Sequence, residues 1–244
     1  MALRAEGSGP RLGAWLLLLG VALGCREAEA ELRAERERMV RTQIEARGVH
    51  DARVLAALRE VPRHRFVPEG LVHAAYEDGP LPIGHGQTIS QPYIVAVMSE
   101  LLAPAPGDVV LDVGTGSGYQ AAVLGRLVRR VYSIEIVPEL AASARQRLVA
   151  LGYTNVEVIT GDGWAGLPAL APFDGILVAA APPEVPKALL EQLALGARLV
   201  IPVGQWEQDL RVYERTPRGI DQRTVFGVRF VPLVHGEDVE PEQR

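Results

Sequence analysis

From Val109 onward the chain alternates two patterns. Short, almost unbroken apolar runs fall at 109–113, 130–136, 155–160, 173–180 and 197–203, and longer stretches with apolar residues at helical spacing fall at 118–128, 138–151 and 183–194. The runs predict strands covered on both faces, and the stretches between them predict the crossovers of a parallel sheet. Pro138 opens the middle helix and Gly152 closes it, where a missing N–H and a left-handed backbone cost least. The expected fold is α/β, a doubly wound, mostly parallel sheet. Two more β segments, 209–216 and 223–231, form a C-terminal β addition. Upstream the pattern is a helical extension. A charged stretch, Glu27 to Arg47, carries a thin apolar stripe (Met39, Val40, Ile44) and is closed by Gly48. Asp51 caps a second helix and Pro92 opens a third that runs to Leu102. These patterns divide the chain into 1–30, helices and a loop at 31–105, and the α/β core with its C-terminal strands at 106–244.

Ligands of such sheets sit beyond the carboxyl ends of the strands. The first strand ends in Asp112-Val113-Gly114-Thr115-Gly116-Ser117-Gly118-Tyr119. Glycines permit a tight turn and close approach of a ligand, and the helix that follows offers N–H groups at its start. A dinucleotide fingerprint would read G-x-G-x-x-G/A, whereas here Tyr119 takes the place of the last small residue. Asp112 would face a cationic or hydroxyl end of a ligand and would oppose a pyrophosphate. Glu135 ends the second strand, 23 residues after Asp112. An ionised carboxylate there suits a ribose diol, because it accepts from both hydroxyls. Gly161-Asp162-Gly163 follows the third strand, and Asp162 is either an acceptor for an adenine amino group or a plain turn aspartate. D-x-G-x-G-x-G with a strand-end Glu resembles the S-adenosylmethionine-dependent methyltransferases. A nicotinamide enzyme and a glycine turn with no ligand are the alternatives at this point.

Composition narrows the partners. The formal charge is −5 and half the chain is apolar. That disfavours nucleic acid, whose phosphates call for a basic face. A single cysteine, Cys25, excludes an internal disulfide, and the five histidines show no metal-ligand spacing. Arg4 and Arg11 precede an apolar run from Ala14 to Leu23, then Gly24-Cys25. The run is short for a bilayer span and has the layout of a secretory leader. The lone Cys25 after a small residue resembles a lipoprotein cleavage site, and the other reading is a start near Met39.

Two stretches carry further candidate chemistry. Arg63-His64-Arg65 reads as a solvated turn or an anion site. Residues 76–92 hold three Gly and three Pro and read as a long functional loop. Within it Ser90 is placed either to cap the helix at Pro92 or to serve a site.

Taken together these stretches resemble the protein-L-isoaspartate (D-aspartate) O-methyltransferase family. The resemblance rests on Gln43-Ile44 with Ala46-Arg47-Gly48, Val61-Pro62-Arg63-His64 with Phe66-Val67-Pro68, and the loop Gly86-Gln87-Thr88-Ile89-Ser90-Gln91-Pro92. It continues through the glycine stretch, Gly161-Asp162-Gly163, Pro202-Val203-Gly204 and Arg229-Phe230-Val231-Pro232-Leu233. The glycine stretch is shared by many methyltransferases. The Thr-Ile-Ser loop and the Phe-Val-Pro-Leu tail are far more specific. The resemblance implies a Rossmann-like fold, S-adenosylmethionine as methyl donor with no metal, and methylation of the free α-carboxylate of L-isoaspartyl and D-aspartyl residues. It implies Ser90 as the active-site residue. It implies Thr88, Ile89, Ser90, Asp112, Gly114, Gly116, Glu135, Ile136, Asp162 and Gly163 as the cofactor's surroundings, with the 76–92 loop as a lid. It also implies a cytoplasmic monomer acting on isoaspartyl-containing proteins and peptides, without nucleic acid. Membrane attachment follows only if the leader is retained or Cys25 is acylated, and an exported protein is the alternative. A methyltransferase for RNA or a small molecule, and a non-catalytic binder of altered aspartyl sites, are the rivals.

Overall fold

The computed structural model describes residues 12–236, with side chains from Arg26 onward. Of the expected leader, residues 1–11 and the side chains of 12–25, Cys25 included, lie outside the described residues. Among those described, no helix is long and apolar enough to cross a membrane. Contacts group the chain into residues 1–35 and residues 36–244, and the sheet and both cavities described below lie in the second unit.

Helix α1 (Leu12–Met39) passes into a π turn, Val40–Ile44, and a 3₁₀ turn, Glu45–Arg47. Gly48 then stops it at φ 94°, so the expected terminator is right although the last two turns are not α-helical. Asp51 caps α2 (Ala52–Glu60) by accepting from the N–H groups of Arg53 and Val54. A hairpin follows, β1 (Leu81–Gly84) and β2 (Gln87–Ile89), before α3 (Pro92–Leu102). The expected loop is thus an antiparallel hairpin, with Leu81 opposite Ile89 and Pro82 opposite Thr88.

The core then alternates as the pattern predicts: β3 (Val109–Val113), α4 (Tyr119–Gly125), β4 (Arg130–Glu135), α5 (Pro138–Ala150), β5 (Val156–Thr160), β6 (Phe173–Val178), α6 (Lys187–Glu191), β7 (Leu193–Val203), β8 (Gln208–Thr216) and β9 (Gly219–Val228). The seven-stranded sheet has the order β5-β4-β3-β6-β7-β8-β9, parallel as far as β7 and antiparallel beyond. The winding reverses at β3, whose neighbours are β4 and β6. Its carboxyl end is therefore the crevice that doubly wound sheets offer to ligands. Leu111, Val113, Ile134, Phe173, Ile176 and Leu199 pack the centre of the sheet.

Two elements differ from the pattern for a visible reason. The helix expected over 183–194 shrinks to Lys187–Glu191. Pro182, Pro183 and Pro186 each force the preceding residue toward extended backbone, and Leu193 joins β7 opposite Phe173. The strand expected over 223–231 ends at Val228. Residues 229–234 leave the sheet edge and cross the end of β6, where Ala181 N–H donates to the Val231 carbonyl and Leu233 N–H donates to the Ala181 carbonyl, both at 2.9 Å or less.

The Arg63-His64-Arg65 cluster is neither a solvated turn nor an anion site. Only Arg65 is exposed. The Arg63 side chain is fully buried, donates from Nε to the Ala75 carbonyl at 2.8 Å and lies 4.9 Å above the Tyr119 ring. Burial lowers its pKa to about 10, still above neutrality, so it remains a cation. His64 meets the Tyr76 hydroxyl at 2.7 Å. The turn is a buried clamp between the segment before β1 and the start of α4.

Candidate active site

A cavity of about 330 Å³ opens at the carboxyl ends of β3 and β4. Its walls include Thr88, Ile89 and Ser90 from the hairpin side, Gly114 and Gly116 from the glycine turn, Glu135 and Ile136 from the end of β4, and Gly163. Two of the sequence candidates, Asp112 and Asp162, do not reach this surface. Val113, Ile134, Val137 and Leu233 make much of the rest apolar.

The glycine turn uses its own donors. The N–H groups of Gly114 and Thr115 bond the Ile134 carbonyl at 2.9 and 3.3 Å, that of Gly118 bonds Thr115, and that of Gly116 bonds Glu135 Oε2 at 2.7 Å. Four N–H groups that a pyrophosphate lying on the turn would need are therefore spent, three on β4 and one within the turn. All four precede α4, whose first N–H groups are not among them, so the open helix start expected from sequence stands. Gly116 has φ 51°, and a Cβ there would stand 3.2 Å from Ile83 Cδ1. Its missing side chain lets the hairpin rest directly on the turn.

Glu135 is buried and serves both ends of the cradle. Oε2 accepts from Gly116 and Oε1 accepts from Val137 N–H at 3.0 Å. Burial raises its pKa, against the lowering effect of the backbone donors. Each carboxylate oxygen keeps a second lone pair for a ligand hydroxyl.

Asp112 lies beneath the turn, fully buried. Its Oδ2 accepts from Ser133 Oγ at 2.7 Å, and Ser133 meets Thr115 Oγ1 at 2.6 Å. Its Oδ1 is buried without a partner. Burial, with the charge of Glu135 adding to it, lifts the carboxyl to about 7 against the hydrogen bond from Ser133. Since the folded-state pKa lies above the ordinary carboxylate value, the folded chain holds a proton that the unfolded chain releases. Asp112 therefore lowers stability progressively as pH rises from about 4 to about 7, by up to about 4 kcal/mol at ~1.4 kcal/mol per unit. Asp112→Asn should flatten that window when denaturant unfolding of the two proteins is compared across pH. Parallel stability curves for wild type and variant would refute the buried, proton-bearing state.

Asp162 lies outside the lining of the chamber. Its Oδ1 accepts from Trp164 N–H at 2.8 Å and its Oδ2 lies 3.6 Å from His235 Nδ1, while Trp164 and His235 stack with centroids 4.4 Å apart. It shapes the turn that carries Gly163. Ser90 is half-buried and does not cap α3, whose N-cap is Gln91, without a side-chain bond, ahead of Pro92. Among the described residues no group hydrogen-bonds the Ser90 hydroxyl. The capping alternative is thereby removed, and the hydroxyl is free for a ligand.

A second, open cleft of about 1160 Å³ adjoins the first. Thr88, Ser90, Ala179 and Val231 line both, so the deeper chamber and the surface groove meet at these residues. The groove continues past Arg47, Tyr93, Phe226 and Phe230. Arg47 lies 3.6 Å above the Tyr93 ring and pairs with Asp78, which accepts from Gln91 Nε2 at 2.8 Å. That chain of contacts fixes the base of the hairpin. Among the described residues, no three His, Cys, Asp or Glu side chains converge as metal ligands would.

The family model for protein-L-isoaspartate(D-aspartate) O-methyltransferase matches residues 34–238. The chain belongs to this family. It is 54% identical over 216 residues to the protein-L-isoaspartate O-methyltransferase of Synechococcus sp. strain JA-2-3B'a(2-13), covering 85% of this chain and 88% of that one. It is 54% identical over 204 residues to the same enzyme of Gloeobacter violaceus, covering 83% of this chain and 100% of that one. Among solved structures, a protein-L-isoaspartate O-methyltransferase superposes with a TM-score of 0.76 at 28% identity, over 82% of this chain and 66% of that one. The Plasmodium falciparum protein of this family, in complex with S-adenosyl-L-homocysteine, superposes with a TM-score of 0.73 at 26% identity, over 82% and 98%.

The Thr-Ile-Ser loop and the Val231–Leu233 part of the tail, both visible as motifs, line one chamber. Ala179-Ala180 stand at a strand end and Val231-Pro232-Leu233 within the tail motif, but sequence reasoning gave neither a place in the wall of the chamber. Alanines at a strand end and apolar residues in a tail carry no chemical signal, and only the crossing of the tail over β6 brings them together.

Proposed function

We propose that this chain transfers the methyl group of S-adenosylmethionine to the free α-carboxylate of L-isoaspartyl and D-aspartyl residues in damaged proteins. The observation that carries this reading is the shared wall. Ser90 and Thr88 border both the deeper chamber and the open groove, as a transfer between a small donor and a polypeptide requires. The chamber's size is within the range of small-molecule sites. Its residues fit the donor: Glu135 for the ribose hydroxyls, glycines that admit close approach, and apolar walls including Ile136 and Leu233 for the adenine ring. Gly114 and Gly116 would lie by the methionine portion, with Ile89 closing the top. Gly163 would border the adenine and Asp162 would fix its turn.

Bound there, S-adenosylmethionine supplies a methyl group on a cationic sulfur. The acceptor carboxylate is already ionised at neutral pH, so this chain needs no general base. Its task is alignment and exclusion of water. The Ser90 hydroxyl donates to the carboxylate and orients one oxygen toward the chamber, without covalent attachment. The hairpin resting on Gly116 closes the chamber from above. The resulting methyl ester cyclises to succinimide more readily than the acid, and hydrolysis of the succinimide returns some normal aspartate. The same reading puts the enzyme in the cytoplasm, where its methyl donor is made.

The test is transfer of labelled methyl from S-adenosylmethionine to two synthetic peptides that differ only in an isoaspartyl or a normal aspartyl linkage. Label on the isoaspartyl peptide alone, released by mild base, is expected. Label on neither peptide, or equal label on both, would overturn the assignment.

A further inference from the structure

The rim of the open groove carries a tryptophan with 90% of its surface exposed, Trp206. Single exposed apolar residues are common on protein surfaces, and Val149 and Leu195 are ordinary examples here. Trp206 differs from them in two ways. It continues an aromatic lining, since Tyr93, Phe226 and Phe230 face the same groove. It is also carried on a turn with little freedom.

The turn leaves β7 at Gly204, which has φ 137°. A Cβ there would stand 1.9 Å from the Glu207 carbonyl oxygen, so the backbone folds back on itself more tightly than any side chain allows. Gly204 N–H bonds the Pro182 carbonyl at 2.9 Å. At the other end the Gln208 amide clamps Phe230 from both sides, donating to its carbonyl at 3.2 Å and accepting from its N–H at 2.6 Å. A large, rigid aromatic side chain is thus displayed on a fixed support, facing solvent beside an apolar trough. Such side chains contribute most of the energy in recognition surfaces, because they bury much area at little loss of freedom.

We propose that Trp206 is a specificity-determining residue that selects isoaspartyl peptides with an aromatic or large aliphatic residue next to the damaged site. The inference rests on the methyl-transfer reading above and deepens it. The damaged residue sits at the Ser90 wall, and a chain extended from that wall along the groove brings a neighbouring side chain to Trp206, Phe226 and Phe230. The charged residues of the same groove include both signs, Glu207 and Asp209 against Arg47 and Arg229, so they set no strong preference for a charged neighbour. Apolar contact is what remains to discriminate.

The experiment uses the full chain and short isoaspartyl peptides, identical except that the residue before or after the isoaspartyl is Gly, Phe or Lys. For one of the two positions, the Phe peptide should show kcat/KM about tenfold above the Gly peptide, mostly through KM, as expected for a side chain seated in an apolar site. Trp206→Ala should remove that advantage, lowering kcat/KM far more for the Phe peptide than for the Gly peptide. Trp206→Phe should restore most of it. Equal kcat/KM for Phe and Gly peptides, or a Phe preference that survives Trp206→Ala, would overturn the proposal. A Lys peptide favoured over Phe would overturn it too, assigning the rim to a cation held by the indole face and Glu207. Failure of the wild-type protein to methylate even the Gly peptide is a different result: it removes the methyl-transfer reading, and this inference with it.

Discussion

Replacing Ser90 by alanine should slow methyl transfer roughly 10- to 1000-fold, on the scale of losing one positioned donor in a water-poor site, with affinity for S-adenosylmethionine nearly unchanged. The two halves of this expectation have separate grounds. The Ser90 hydroxyl has no partner among the described residues, so its removal strands no donor or acceptor and leaves the fold intact. On the proposed reading the donor molecule is held by Glu135 and the glycine turn, away from the groove that admits the acceptor. The loss should therefore appear in kcat for the isoaspartyl peptide, and a calorimetric titration with S-adenosylmethionine should overlay that of the wild type. Turnover within twofold of wild type would end the orienting role. Loss of donor affinity equal to the loss of rate would move Ser90 from the acceptor to the donor.

Glu135→Ala should have the opposite signature. The ribose loses a charge-assisted acceptor, which costs about 1–3 kcal/mol, or roughly a 5- to 150-fold weaker Kd. The structure adds a second loss. Gly116 and Val137 N–H groups give up the carboxylate that holds them, and the turn that shapes the chamber is released with them. Glu135→Gln should not rescue binding, because one of the two buried backbone donors would then face an amide NH₂ instead of an oxygen. Both variants should keep a Ser90-dependent rate once the donor is saturating. Unaltered donor affinity in Glu135→Ala would refute the ribose assignment.

Much of this site was legible because it depends on backbone. The alternation after Val109 marked β3 as a buried parallel strand and the glycine turn marked its end, while its place at the reversal of the sheet emerged from the strand order. Glu135 and Gly163 followed as strand-end residues. What sequence did not disclose were the consequences of burial. Asp112 looked like a ligand for a cationic group, yet strand β3 is covered on both sides and its pairing places Asp112 beside Ser133, under the turn. Arg63 looked solvated because arginine is rarely buried alone. Its solution, a carbonyl at one edge and the Tyr119 ring at a face, comes from segments distant along the chain. The hairpin at 81–89 escaped notice because a four-residue strand containing proline and glycine has too few positions to show an alternation. Asp162 could be read as an adenine acceptor or a turn residue, and its bonds to Trp164 and approach to His235 engage it in the turn.

The tail that crosses β6 has a consequence for how the protein comes into being. Val231–Val234 close one wall of the chamber, and the Trp164 indole N–H reaches across to the Leu233 carbonyl at 3.1 Å. Every other wall is encoded earlier in the chain. During synthesis the hairpin, the glycine turn and Glu135 are all complete while this side of the chamber is still open to water. On the methyl-transfer reading, the donor's chamber lacks this wall until residues 231–234 have docked across β6.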